Sequence, residues 1–408
     1  MREVDVAIVG GGAAGISAAH RLAGEGRSVM LVEALPRLGG RAHTAVIRDT
    51  PFDLGCGWMH SAERNPLTAL AETERVNIDR SESAWRRQLF DIDFPAGEQR
   101  QAWSAYRHLG ERMRSHPPRS DSAGDAIARD DRWRPFIDGL SSFINGAELD
   151  RISVADFLAY DDAASETNWR LPGGYGAFIA GLGARLPTTL GTSVQSVSQR
   201  NEVTLGTDRG TIRARAAIIT VSTAVLTTGA IRFDPDVDDH LHAASTLPLG
   251  LANKVFLSID DPQAVPAESH LLGRLDRAET GSYYIRPFGR PVIECFLGGA
   301  HAAALESAGE KATVAFVIEE LTDLLGADFA RGLAPLAVTH WGRETFIRGS
   351  YSHALPGHAG SRSVLARPVS EQLCFAGEAC SIADFSTAHG AWQSGIVAAE
   401  WIERHLRK

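Results

Sequence analysis

The chain has 408 residues, 44% apolar and 22% charged, enough to bury a sizeable core and to fill two domains. Its formal net charge of −9, with no basic stripe, argues against nucleic acid as a partner. No apolar stretch approaches the ~20 residues of a membrane span. The four cysteines (Cys56, Cys295, Cys374, Cys380) have neither zinc nor disulfide spacing, so a cytoplasmic location is expected.

In chain order, the first expected element is a buried parallel strand over 4–9, which leaves no room for a cleaved leader. Gly10, Gly12 and Gly15 then fit G-x-G-x-x-G, and residues 16–22 carry a helical pattern. Gly10 permits the tight turn, Gly12 lets backbone N–H groups approach a pyrophosphate, and Gly15 lets helix and strand pack. The phosphates would sit at the helix N-terminus. A second apolar strand, 28–32, ends at Glu33, whose carboxylate suits ribose hydroxyls. Leu38-Gly39-Gly40-Arg41 follows, then the Phe52-Asp53-Leu54-Gly55-Cys56-Gly57-Trp58 segment. A nicotinamide enzyme needs no second Gly-Gly-Arg, whereas a permanently bound pyrophosphate needs a fixed cation. The motif therefore narrows the dinucleotide to FAD; an ordinary turn with a surface arginine is the alternative.

From 76 to 185 the pattern turns helical and Arg/Asp-rich, broken by Pro117-Pro118 and the Gly173-Gly174-Tyr175-Gly176 turn. Residues 190–221 read as short strands with turns at Gln199-Arg200-Asn201 and Asp208-Arg209-Gly210. More strands follow over 235–355 around one long helix, 311–325. The tail returns to a buried strand, 372–376, then Gly377-Glu378 and a helix from about 389 to 406. That helix start suits another anion or carbonyl, and Gly377 and Gly390 permit close backbone approach. Helix packing is the other reading of Gly390 and Gly395. The expected fold is α/β, a Rossmann-type FAD-binding domain with an interleaved α+β substrate-binding domain. Its segments are 1–75, 186–234 and 356–408 for the first domain, and 76–185 and 235–355 for the second.

Of 41 Lys and Arg residues only three are lysines, at 254, 311 and 408. A chain so biased to arginine keeps a lysine where a compact ammonium matters. Strand alternation over 251–257 puts Lys254 on one face with Phe256 and Ser258. A solvated strand lysine is the alternative.

Together these residues resemble the flavin-containing amine oxidases, and among them the polyamine oxidase branch. The resemblance runs nearly end to end: Gly10 to Gly15 with Glu33, Gly39-Gly40-Arg41, Trp58-Met59-His60 with Asn65-Pro66, and Leu171-Pro172-Gly173-Gly174-Tyr175. It continues through the strand at 216–221, Leu249-Gly250 with Asn253-Lys254, Trp341, Gly349-Ser350-Tyr351-Ser352, and Gly377-Glu378 to Gly395. The Trp-Met-His segment and Ser386-Thr387-Ala388-His389-Gly390 resemble the animal-type polyamine oxidases more narrowly. Ser222 departs from the family's usual proline, and the helical insert is short.

The resemblance implies the amine oxidase fold and an FAD held by Gly10, Gly12, Ala14, Gly15, Glu33, Gly40, Arg41, Gly57, Trp58, Val194, Trp341, Gly377, Glu378, Thr387 and Ala388. It implies that Lys254 is hydrogen-bonded through water to flavin N5, and that His60 orients the amine or carries a proton. Tyr351 and Thr387 become the two walls beside the substrate nitrogen, with Trp58 near them. A structural histidine and a core tyrosine are the alternatives at 60 and 351. Ser350 stands where covalent members carry cysteine, so the FAD is expected to be non-covalent. The implied reaction passes a hydride from the carbon next to nitrogen to flavin N5, and O2 then gives hydrogen peroxide. The expected partners are a polyamine-like or other primary or secondary amine and O2, with no metal; a homodimer is left open. A flavin desaturase or dehydrogenase of an apolar substrate, and a flavoprotein kept as an interaction subunit, are the competing readings.

Overall fold

The structure, a computed structural model, describes residues 2–86, 96–200 and 202–407; Asn201 of the expected turn lies outside them. The second half of the strand Arg2–Val9 is apolar on both faces, with Val6, Ala7 and Ile8 fully buried, and so takes a central place with a layer on either side. It pairs parallel with Val29–Val32 and with Gly210–Ile219. Thr188–Thr189 extends the sheet past 29–32, while Val203–Thr207, Val194–Ser198 and Arg232–Asp234 extend it past 210–219. Leu373–Phe375 joins parallel at Ile219, where the expected run to 221 ends.

One face of this sheet is covered by the helices Ala13–Gly24 and Ala388–Leu406, which carry Ile16, Leu22, Ala399 and Ile402 into a shared core. Glycine is required there by proximity. A Cβ on Gly15 would lie 1.9 Å from Gly10 O, and one on Gly395 would lie 2.1 Å from Ala14 O. Packing is therefore the correct reading of Gly395. The other face packs on Asp238–Ser245 and Ser361–Ala366 through Ala243, Ala244 and Leu365.

A second, antiparallel sheet runs in the order Ser269–Leu272, Ser282–Ile285, Val292–Gly298, Ala252–Ile259, Leu333–Val338. Alternation divides it cleanly. Val255, Leu257, Tyr283, Ile293 and Cys295 form one buried face with Val317 and Leu321 of the helix Glu310–Leu325. The opposite face carries Lys254, Phe256, Glu294, Phe296, Ser282 and Tyr284, as the cross-strand partners dictate.

The strands of the first sheet come from segments 1–75, 186–234 and 356–408, and those of the second from 235–355. The helices Ala96–Ser115, Arg134–Asn145 and Val154–Ala163 form a separate cluster around Leu109, Phe136 and Phe157. A buried bidentate pair crosses between segments: Arg362 donates to both oxygens of Asp156 at 2.6 and 2.9 Å. Among the described residues, no helix is long and apolar enough to cross a membrane.

Candidate active site

A cavity of about 730 Å³ reaches from the glycine turn of the first sheet to the open face of the second. Every residue expected from the sequence to bind cofactor or substrate lines it, with one exception. Gly15 does not; it is buried against Gly10, and its part is packing alone.

The end nearest the first sheet has the donors and acceptors that FAD requires. Glu33 accepts from Gly11 N at 2.6 Å through Oε2 and from Leu35 N at 2.7 Å through Oε1. Each carboxylate oxygen retains a second lone pair, so two acceptor positions remain for ribose hydroxyls. Burial raises the Glu33 pKa, against the pull of those two N–H groups. Gly12 begins the helix Ala13–Gly24 with no side-chain cap, which leaves the terminal N–H groups for a pyrophosphate. A Cβ on Gly377 would meet nothing within 4 Å, so the backbone there borders open space. Arg41 lies on the wall, its guanidinium held by Glu378 at 2.9 Å and by Ser350 O. Burial pushes Glu378 up, but Arg41 and Arg362 outweigh it and hold the carboxyl below its usual range. The residues fit the cofactor.

At the other end stands Lys254. Its strand is fixed by Lys254 N donating to Thr339 Oγ1 at 2.7 Å and by Asn253, whose amide reaches Glu306 at 2.6 Å and accepts from Trp341 N at 3.0 Å. Lys254 Nζ donates to Asp53 O at 2.8 Å and pairs with Glu294 Oε1 at 2.7 Å. Two of the three ammonium donors are thereby engaged, which corrects the picture of a free or solvated lysine. One remains.

His60 is oriented by Asn168. Asn168 Nδ2 donates to Glu166 O at 3.1 Å, which turns its Oδ1 toward His60 Nδ1 at 2.7 Å. Nδ1 therefore carries the proton and Nε2 is the accepting nitrogen. Burial lowers the His60 pKa, so the ring is neutral at pH 7. Tyr351 donates its hydroxyl to Phe143 O and presents its ring as a wall. Thr387 is the N-cap of the last helix: its hydroxyl accepts from Gly390 N at 3.0 Å and donates to Asp384 O at 2.6 Å. It shapes the wall with its hydroxyl already spent. Trp58 lies between Trp85, 4.3 Å away, and Tyr284, 5.9 Å away.

Among the lining residues that escape a reading of the sequence are Glu294, Tyr284, Ser282 and His270. Their only signal is strand alternation, and it becomes useful once the register of the hairpins is known. Among the described residues no group of three or more His, Cys, Asp or Glu side chains could hold a metal ion.

An anion cradle at a glycine turn, joined by one cavity to a lysine among aromatic walls, defines a dinucleotide-dependent oxidoreductase. Residues 79–402 match the family described as flavin containing amine oxidoreductase, and residues 8–72 match the NAD(P)-binding Rossmann-like domain. The chain belongs to the flavin containing amine oxidoreductases and is an FAD-dependent enzyme. It is 30% identical to Polyamine oxidase 5 of Oryza sativa subsp. japonica, across 98% of this chain and 88% of that one. It is 28% identical to Polyamine oxidase 2 of Arabidopsis thaliana over the same shares. A cofactor-binding redesign of putrescine oxidase superposes with a TM-score of 0.79 at 19% identity, covering 99% of both chains, which establishes the common fold.

Proposed function

We propose that this enzyme oxidises a primary or secondary amine, polyamine-like or otherwise, at the carbon next to nitrogen and releases hydrogen peroxide. The observation that carries this reading is one chamber shared by Lys254, His60, Tyr351 and Trp58. FAD, when bound, would supply the redox chemistry, hydride acceptance at N5 and two-electron transfer to O2.

His60 receives the substrate. Its Nε2 lone pair accepts an N–H from the incoming amine or takes the proton of an ammonium, freeing the nitrogen lone pair. The face of Tyr351 suits a cationic or lone-pair-bearing nitrogen, and Trp58, whose ring already carries Arg170, restricts its orientation. Lys254 keeps a fixed positive charge and one free N–H donor at the reacting end. That donor holds a water, and the ammonium stabilises negative charge as oxygen is reduced. Thr387 and Ala388 begin a helix whose N-terminus favours negative charge beside them. Gly10, Gly12, Ala14, Glu33, Gly40, Arg41, Gly57, Val194, Trp341, Gly377 and Glu378 hold the cofactor.

We assign the cofactor domain to 1–75, 186–234 and 356–408 and the substrate domain to 76–185 and 235–355. The four free cysteines support a reducing, cytoplasmic setting. The test is to mix purified holoenzyme with a panel of polyamines and monoamines. Anaerobic bleaching of the flavin and peroxide release in air are expected for at least one. A panel that bleaches no flavin would sink the oxidase reading.

A further inference from the structure

This inference rests on the amine oxidase reading and concerns the substrate end remote from the reacting carbon. The open face of the antiparallel sheet carries two rows of side chains, and all of them but Phe256 line the chamber. In one, Lys254 stands opposite Phe296, Phe296 opposite Ser282, and Ser282 opposite Leu272. In the other, Phe256, Glu294, Tyr284 and His270 stand in the same succession. Paired residues share a face and adjacent strands lie ~4.8 Å apart, so Ser282 is about 10 Å from Lys254, and His270, three strands away in the other row, about 16 Å. Lys254, Ser282 and His270 all line the same cavity.

Among the described residues, that remote end is polar without being charged. His270 Nε2 and Ser282 Oγ are hydrogen-bonded at 2.7 Å. His270 is only 7% exposed, and its Nδ1 is buried with no partner among the described residues. Burial lowers the His270 pKa to about 4, so the ring is neutral under working conditions. A neutral imidazole and a hydroxyl exchange hydrogen bonds with hydroxyl, amide or carbonyl groups, but they do not balance a buried positive charge.

Among the described residues, the charges nearby are already matched. Glu294, on the same face, is paired with Lys254. The rings of Trp58 and Tyr284 already carry a cation: Arg170, which does not line the chamber, lies 4.8 and 4.9 Å from their centroids. Arg170 is itself paired with Asp79 and Glu268. A second ammonium on the substrate would meet ring faces already holding a guanidinium and a carboxylate already holding a lysine. Its desolvation would go uncompensated.

We propose that Ser282 and His270 form a distal subsite for an uncharged hydrogen-bonding group. The preferred substrate is then an amine bearing one positive charge, with a hydroxyl, amide or carbonyl about 10 Å from its reacting end.

Three amines of equal chain length test this on the holoenzyme: aminohexanol, monoacetylated diaminohexane and diaminohexane. Binding is read from the perturbation of the flavin spectrum, and turnover from anaerobic bleaching. The hydroxyl and amide tails should bind at least ~10-fold more tightly than the second ammonium, the scale of a hydrogen bond against an uncompensated charge. Ser282→Ala combined with His270→Phe should erase that preference, and Ser282→Asp should move it toward diaminohexane. Should the double variant lose FAD, Ser282→Ala alone carries the test. Equal or tighter binding of diaminohexane by the wild-type enzyme overturns the proposal, as does a preference that survives in the variants. If no amine bleaches the flavin the oxidase reading fails, and the binding order still decides the subsite.

Discussion

The main-chain oxygen of Asp53 accepts a hydrogen bond from Lys254 Nζ at 2.8 Å. The carboxylate of the same Asp53 takes Tyr175 N and Gly176 N at 2.9 and 3.0 Å, capping the helix Tyr175–Leu182 where a negative charge is favoured. One residue thus ties the segment 52–58 to the Gly173-Gly174-Tyr175 turn and to the lysine. These motifs lie far apart in sequence, and Asp53 is the point where they meet.

Replacing Lys254 by Met removes the ammonium at nearly constant bulk and leaves Glu294 without its partner. The Lys254 side chain is 7% exposed and that of Glu294 22%, so the stability cost should be roughly 1–3 kcal/mol, below the ~3–5 of a wholly buried pair. Reoxidation of the reduced flavin by oxygen should slow at least ~10-fold, the equivalent of ~1.4 kcal/mol. Adding Glu294→Gln should recover the lost Tm without recovering the rate. Stopped-flow reoxidation and thermal melts check both parts, and an unchanged oxidative rate would remove Lys254 from that step.

The two ends of the chain were legible because their signals are local. Gly10, Gly12 and Glu33 lie on one strand-turn-helix-strand unit, where spacing alone dictates geometry. Lys254 stood out by its rarity. Glu294, Tyr284, Ser282 and His270 had no such local mark. They converge only through the pairing of three hairpin-linked strands, and a slip of one residue would turn each of them away. Gly15 and Gly395 were legible as packing glycines, and each is a point where one backbone crosses another. Gly15 is also among the residues expected to hold FAD, yet it does not line the cavity.

The Arg362–Asp156 pair couples a helix of the inserted segment to the C-terminal cofactor segment. Their side chains are 1% and 2% exposed, and Arg362 also stacks on Phe385 at 3.6 Å. Asp156→Ala strands a buried guanidinium and should cost ~3–5 kcal/mol. In the wild-type holoenzyme, where the pair is intact, the two domains should melt in one transition, with loss of FAD coinciding with loss of secondary structure. Two separate transitions in calorimetry would show that this link does not couple them.

FAD should be held without a covalent bond. Ser350 Oγ accepts from Ala252 N at 2.8 Å and donates to Ala252 O at 2.9 Å, so this side chain clamps the start of the Lys254 strand. A hydroxyl also has no route to the thioether that a cysteine forms at the flavin methyl. Acid precipitation should leave yellow FAD in the supernatant. Colour retained in a washed pellet would show a covalent link.

Acid sensitivity should begin above the carboxylate range. Burial lowers the His270 pKa to about 4, and burial together with the Arg151 and Arg362 cations lowers that of His353 to about 3. In the unfolded chain both return to ~6.5. Between the folded and unfolded values the unfolded state binds a proton that the folded state refuses, so stability is complete above pH ~6.5 and declines below it. At pH 5 each ring contributes a loss of up to ~2 kcal/mol. Glu378 and Asp384 are held below their usual ranges, so they do not enter this window. The Tm of the holoenzyme should therefore fall between pH 7 and pH 5, and His353→Gln should make the fall shallower. A wild-type Tm that stays level across those two pH values would contradict the burial of neutral rings at 270 and 353.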